Sequence, residues 1–316
     1  MKIDTFAPAS IGNFIVGFDI LGLAVSDTTE PPLGDRVIID DHTEHNHFST
    51  TGPYSSQLPQ DTDNLVMKAR DLYHEYLIQH KTVKPKPLSI ILEKNLPIGS
   101  GLGSSACSIV AAVGAMNAIY QNPLDTLTCL QMCGQLEAGI SGGVHLDNVA
   151  PSLLGGLTLI EKENSLPKIL EIPDHWRFVL CHPGTQLATK HARLVLPSTL
   201  SLKKSTAWSQ QMALLIQALA TGADDETFKP LLSDKVIEPH RFKLIPDFEK
   251  AKQIAFDNDA LAFGISGAGP TMAVICTSDE IANTVATQLS ELYHYNRSAF
   301  VRVCSADLEG IKTRNL

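Results

Sequence analysis

Hydrophobic and polar positions along this chain follow two periods, and the switches between them mark out its elements. Val37-Ile38-Ile39-Asp40 and Pro87-Leu88-Ser89-Ile90-Ile91-Leu92-Glu93 are short β-type runs and predict strands. Residues 41–60 between them are polar and read as a solvated loop, in which His42, His45 and His47 flank no carboxylate cluster. Residues 64–79 place Leu65, Val66, Ala69, Leu72, Tyr73 and Tyr76 on one helical face. Small and apolar residues from Ser108 to Tyr120 predict a second helix, and a third is expected from about Leu124 to Ile140. Residues 151–160 read as a strand carrying a Gly-Gly pair. Further strands are expected at 177–182, 262–266, 271–277 and 299–304, with helices at about 205–221, 247–257 and 279–293. This mixture lacks regular βαβ alternation and no segment repeats, so an α+β architecture is expected. The polar stretch 161–168 is the expected boundary between two domains, residues 1–165 and 166–316.

Composition narrows the partners. The 316 residues are 44% hydrophobic and 19% charged, with a net charge of -9. That balance argues against nucleic acid or an anionic membrane as the main partner, and requires anionic ligands to be met by local devices. No apolar stretch is long enough to span a bilayer, and Met1-Lys2-Ile3-Asp4-Thr5-Phe6 has no signal-peptide pattern. The six cysteines lie mostly in apolar or helical surroundings. Cys129 and Cys133 stand one helical turn apart but have no second Cys/His pair at ligand spacing, so buried thiols and a reduced cytoplasmic compartment are expected.

The chemistry concentrates in one run, Pro97-Ile98-Gly99-Ser100-Gly101-Leu102-Gly103-Ser104-Ser105-Ala106-Cys107, between a strand and a helix. Alternate glycines let backbone N–H groups approach a ligand, and a helix start behind them adds unpaired amides and a positive dipole end. The two serines offer a helix cap and a hydroxyl for a metal ion. The run is not a P-loop, because Gly103 stands where that motif needs Lys, and Ser104 replaces the third glycine of the dinucleotide fingerprint. A cradle for a nucleoside triphosphate is the expectation. Lys94, shortly before the loop, either approaches the nucleotide or lies along the surface. A second glycine-rich turn, Gly264-Ile265-Ser266-Gly267-Ala268-Gly269-Pro270-Thr271, reads either as a hairpin with positive φ or as a wall closing on the phosphates.

With the N-terminal segment Ala7-Pro8-Ala9-Ser10-Ile11-Gly12-Asn13-Phe14-Ile15-Val16-Gly17-Phe18-Asp19-Ile20-Leu21-Gly22, these two glycine-rich runs resemble the three ordered motifs of the GHMP small-molecule kinase superfamily. Within it the chain is most similar to the homoserine kinases, through Val144–Pro151, Thr189–Arg193 and Glu238–Pro246. The resemblance implies a first domain like ribosomal protein S5 domain 2, a ferredoxin-like second domain, and a homodimer. It implies ATP-dependent phosphorylation of the side-chain hydroxyl of L-homoserine, with Mg2+. Residue by residue, it assigns the substrate ammonium to Asp19, a polar substrate contact to Asn13, and the carboxylate to Arg193 and Arg241. Asn148 and Thr189 would orient the hydroxyl, Ser105 (or Ser104 in its place) and Glu137 would hold the metal, and Asn64 would stand near the adenine. Pro97 to Cys107 would hold the phosphates.

Chemistry agrees with that substrate: a zwitterion needs an anion for its ammonium and a planar donor fork for its carboxylate. An amide such as Asn148 takes no proton at neutral pH. Asp147 is adjacent but is not assigned as base, and His145 is expected to be structural. Catalysis by positioning and electrostatics is therefore expected, with late proton loss to the phosphate. Two alternatives stay open, namely another small alcohol as substrate, and a non-catalytic sensor with the same fold.

Overall fold

The first strand, β1 (Lys2–Gly12), is buried along almost its whole length and changes partners on the way. In the computed structural model, which describes residues 1–81, 83–141, 143–161 and 164–316, it is followed by β2 (Leu21–Ser26), β3 (Gly34–Asp40), β4 (His47–Thr51), β5 (Ser89–Glu93), β6 (Leu157–Leu159), β7 (Lys168–Leu170), β8 (Arg177–His182), β9 (Ala262–Ile265), β10 (Met272–Cys276), β11 (Phe300–Ala306) and β12 (Lys312–Asn315). The helices are α1 (Leu65–Tyr76), α2 (Ser104–Ile119), α3 (Thr126–Ser141), α4 (Val149–Leu154), α5 (Thr189–Leu194), α6 (Leu202–Thr221), α7 (Asp225–Phe228), α8 (Glu238–Arg241), α9 (Phe248–Asp257) and α10 (Asp279–Leu292). None is long and apolar enough to cross a membrane.

The strands run in the order β4-β5-β3-β1-β2-β11-β8-β10-β9, with β12 beside β1 and the β6–β7 pair beside β2. One edge of β1 holds β12 along Ile3–Phe6 and β2 along Ala9–Gly12. The last strand of the chain therefore returns to the first. Among the described residues only β4 and β5 pair in parallel; the other pairs are antiparallel. α2 packs under β1 and β3, with α1 and α3 beside it. Most of its residues are buried, and Ala106, Ala111, Ala112 and Ala115 let it pack closely beneath the sheet.

β8 shows how the second half is built. Phe178 and Leu180 join the core that runs through the first half, while Val179 and Cys181 join a second core with α9 and α10. That alternation is the period of a strand buried on both faces. The expected boundary stretch 161–168 includes residues 162 and 163, outside the described residues; past it, Ser305 and Ala306 of β11 pair with Ser26 and Val25 of β2.

Two local expectations change. The polar segment 41–60 contains β4, a half-exposed strand with no apolar alternation to announce it; its partner β5 supplies the order. Residues 151–154 are helical, and the strand is only Leu157–Leu159. Pro151 lies in the first turn of α4, where its missing N–H leaves no helical bond unmade. All six cysteines are free and buried, as expected. His45 and His47 are exposed. Contrary to the expectation that these histidines flank no carboxylate cluster, His42 lies against Asp40 and Asp41, where the Met1 ammonium and Lys86 already pair with Asp41.

Candidate active site

The glycine loop arrives from β5 and turns into α2 at Gly103, which has φ 67 and caps the helix without any side-chain bond to its first turn. The expectation that a serine caps this helix is thus replaced: a left-handed glycine does so. A Cβ at Gly103 would fall 2.3 Å from Ser10 Oγ, so no other residue fits unshifted. Gly103, Ser104 and Ser105 line a cavity of about 340 Å³, so the first amides of α2 face it with the positive end of the helix dipole.

The C-terminal turn grips this loop. Ser266 Oγ donates to Gly101 O at 2.7 Å, and Thr271 donates to Ser100 O from Oγ1 at 2.6 Å and from its amide at 3.1 Å. Thr271 Oγ1 also meets His182 Nδ1 at 3.1 Å. Leu187 N donates to Gly99 O, and Gly267 N donates to Gly12 O, both at 2.9 Å. Residues 264–271 form the β9–β10 hairpin, with Gly267 and Gly269 at positive φ, and Gly267 and Ala268 also line the cavity.

Lys94 lies beneath α2, fully buried, not along the surface. Its ammonium donates to Asp35, to Ser104 O at 2.7 Å and to Ser108 Oγ at 3.0 Å. Asp35, also fully buried, accepts further bonds from the amides of Asn95 and Leu96. The network fixes the strand end to the helix start.

The opposite pole of the cavity is charged. Arg193 on α5 forks onto Asp19, with Nη2–Oδ1 at 2.6 Å and Nη1–Oδ2 at 3.1 Å. His145 Nδ1 lies 3.5 Å from Asp19 Oδ1. Arg241 is buried and donates Nε to Ala192 O and Nη1 to Gly267 O. Burial, then the nearby Arg193 charge, lower its guanidinium to about 10. Both guanidiniums lie 5.2 Å from the centroid of the Phe18 ring, a cation–π arrangement that holds two like charges together. Asn13 braces the segment: its Oδ1 accepts from Asp19 N, and its Nδ2 donates to Gly267 O. Asn148 Oδ1 accepts from Ser10 Oγ at 2.9 Å, and its Nδ2 donates to Asp147 Oδ2 at 3.3 Å.

A family model for the N-terminal domain of GHMP kinases matches residues 64–156, and one for their C-terminal domain matches residues 215–294. The crystal structure of homoserine kinase from Cytophaga hutchinsonii is 31% identical, with 99% of this chain and 97% of that one covered and a TM-score of 0.88. This chain belongs to the GHMP kinase family. Its two-domain α+β fold is that family's fold. Phosphomevalonate kinase from Streptococcus pneumoniae (15% identity, 97% and 99% coverage, TM-score 0.70) and a mevalonate kinase (15%, 98% and 100%, 0.68) share the fold.

In this GHMP kinase the cavity brings together Asn13, Asp19, Ile98, Gly99, Ser100, Gly101, Gly103, Ser104, Ser105, Glu137, Asn148, Thr189, Arg193 and Arg241. Other residues named from the sequence stand behind it. Asn64 is buried and caps α1, accepting from Val66 N and donating to Pro59 O; Leu58 and Leu65 are the cavity residues nearby. Pro97, Leu102, Ala106 and Cys107 are buried behind the loop surface. Cys107 Sγ bonds Pro8 O, and Leu102 O accepts from Ser10 N. Sequence reasoning gave no role to Phe18 or Asp35. Phe18 adjoins Asp19 in the motif but has no signal of its own, because its partners come from α5 and α8.

Two carboxyls in the cavity wall sit outside the ordinary range. Burial raises Glu137 to about 7, opposed by a hydrogen bond from Ser105 and reinforced by Asp147. Burial, with Asp19 adding to it, raises Asp147 to about 7. A pocket that holds acids near neutrality is one that stabilises added positive charge.

Proposed function

We propose that this GHMP kinase transfers the γ-phosphoryl group of ATP to the side-chain hydroxyl of L-homoserine, giving O-phospho-L-homoserine. The observation that carries the reading is the charged pole. A carboxylate and two arginines, gathered round one phenylalanine ring, share a cavity with a helix start suited to polyphosphate. The amino-acid end of the substrate lies there, its ammonium on Asp19 and its carboxylate on Arg193 and Arg241, with Asn13 keeping Asp19 in place. The ATP phosphates lie along Gly99–Ser105, and the adenine lies toward Leu58 and Leu65.

Ser105 and Glu137 fit a hard divalent cation. Both are oxygen donors, they share a hydrogen bond, and Glu137 resists ionising without added positive charge. Mg2+ bound there supplies charge neutralisation for the transferring phosphoryl group. Asn148 and Thr189 orient the hydroxyl. Asn148 is held by Ser10 and Asp147 on either side, so its amide is a fixed positioning group. Neither residue is a base at neutral pH, and the hydroxyl proton leaves late, toward the phosphoryl oxygens. The same reading carries a division at residue 165 and a homodimer, which light scattering would reveal.

A coupled ADP-release assay with L-homoserine, L-serine and mevalonate tests the function. ADP release with homoserine alone is expected. Preference for mevalonate would overturn the substrate, and binding without ADP release would favour a sensor.

A further inference from the structure

The pair formed by Asp19 and Arg193 is a half-exposed, two-pronged ion pair lying inside the cavity. The groups around it are unequally committed. Arg241 spends Nε and Nη1 on backbone carbonyls and is fixed. Arg193 keeps a buried Nε with no hydrogen-bond partner among the described residues, a donor still to be met by an acceptor. Among the described residues its two Nη groups hydrogen-bond only the carboxylate of Asp19.

We propose that Asp19 and Arg193 form an exchange pair that sets substrate charge: a ligand carrying both an ammonium and a carboxylate replaces it, and singly charged alcohols do not. This rests on the substrate reading above and goes beyond it, because the filter is the protein's own ion pair and not the added contacts alone. A zwitterion conserves pairing. Its ammonium takes the place of Arg193 at Asp19, and its carboxylate takes the place of Asp19 at Arg193, satisfies Nε, and meets Arg241. One internal pair becomes two external ones.

A hydroxy acid without an ammonium faces two poor choices. It can leave the pair closed and meet Arg241 alone, or open it and strand Asp19 with only His145 at 3.5 Å. An amino alcohol without a carboxylate strands Arg193 in the same way. Rejection of the wrong ligand by a group left unpaired is a strong source of specificity. Phe18 keeps the exchange local, because Arg193 can swing from Asp19 to a ligand while remaining over the ring.

The test measures Kd by calorimetry for L-homoserine, 4-hydroxybutyrate and 3-aminopropan-1-ol, against the full-length wild-type protein and Asp19→Asn. Asp19 has φ 61, a conformation that asparagine tolerates well. Asp19→Asn is expected to weaken homoserine by about 100-fold and to tighten 4-hydroxybutyrate by about tenfold, since its carboxylate no longer competes with an internal one. If Asp19→Asn does not fold, Arg193→Gln gives the mirror test, in which 3-aminopropan-1-ol tightens. Wild-type binding of homoserine with no tightening of the singly charged ligand in the variant overturns the exchange alone. A wild-type protein that binds no homoserine overturns the substrate reading and the exchange with it.

Discussion

Replacing Lys94 by methionine isolates the energetics beneath the glycine loop. Lys94 and Asp35 are 2% and 0% exposed, so this ion pair is screened by protein and not by water. Methionine keeps the length of the stem but removes the ammonium that bonds Asp35, Ser104 O and Ser108 Oγ. Breaking a buried pair by deleting one partner costs about 3–5 kcal/mol, because the remaining charge stays desolvated. With a urea slope of about 3 kcal/mol/M, the midpoint should fall by about 1–2 M. The double variant Lys94→Met, Asp35→Asn removes the stranded charge while keeping an acceptor for the amides of Asn95 and Leu96. It should be more stable than Lys94→Met alone by about 2 kcal/mol, a coupling within the range seen for contacting residues. Urea unfolding of wild type, Lys94→Met, Asp35→Asn and the double variant, with the KM for ATP measured alongside, is the assay. If Lys94→Met unfolds within 1 kcal/mol of wild type (roughly the value of an exposed pair), the reasoning fails.

Gly101→Ala should lower kcat/KM for ATP by about 100-fold, the scale of a 1 Å misplacement at a reacting site. Its φ is +81 and the new Cβ would meet Ser266 O at 2.6 Å and Gly269 C and O at 2.8 Å, all backbone; unchanged steady-state kinetics would refute the clamp. The Asp147 carboxyl is raised from the usual 3.8 to about 7. Its neutral form therefore adds stability that is complete below about pH 4 and lost as pH rises through 7, up to about 4 kcal/mol in all. Asp147→Asn should flatten the decline of stability between about pH 4 and 7 in metal-free buffer, as read by chemical denaturation at each pH. Asn148→Ala should lower kcat by about 10–100-fold at saturating alcohol substrate, the loss of an oriented hydroxyl; full turnover would remove its orienting role.

Much of this molecule is legible from residue order, because its chemistry sits on short contiguous segments. The alternate glycines before α2 announce a tight turn and a helix start, and these are local properties of the backbone. The periodic apolar faces of α1, α9 and α10 announce helices for the same reason. Where the signal is not local it is faint. β4 carries no apolar alternation because it is an edge strand, half-exposed and held by its parallel partner β5. Lys94 reads equally well as a surface lysine until Asp35, 59 residues away, is brought beneath it. Asn64 has the residue type of a ligand contact, yet both ends of its amide are spent on α1 and Pro59.

Sequence by itself determined most of the element types, the glycine loop before α2 and the family, since each depends on neighbours within a few residues or on the order of motifs. Only the tertiary structure decided which charges meet. Asp19 and Arg193, 174 positions apart, pair because the turn that follows β1 meets α5. Phe18 becomes a platform for two guanidiniums only once α5 and α8 converge on it. Electrostatic energy depends on distance and burial, and neither is written in the order of the residues.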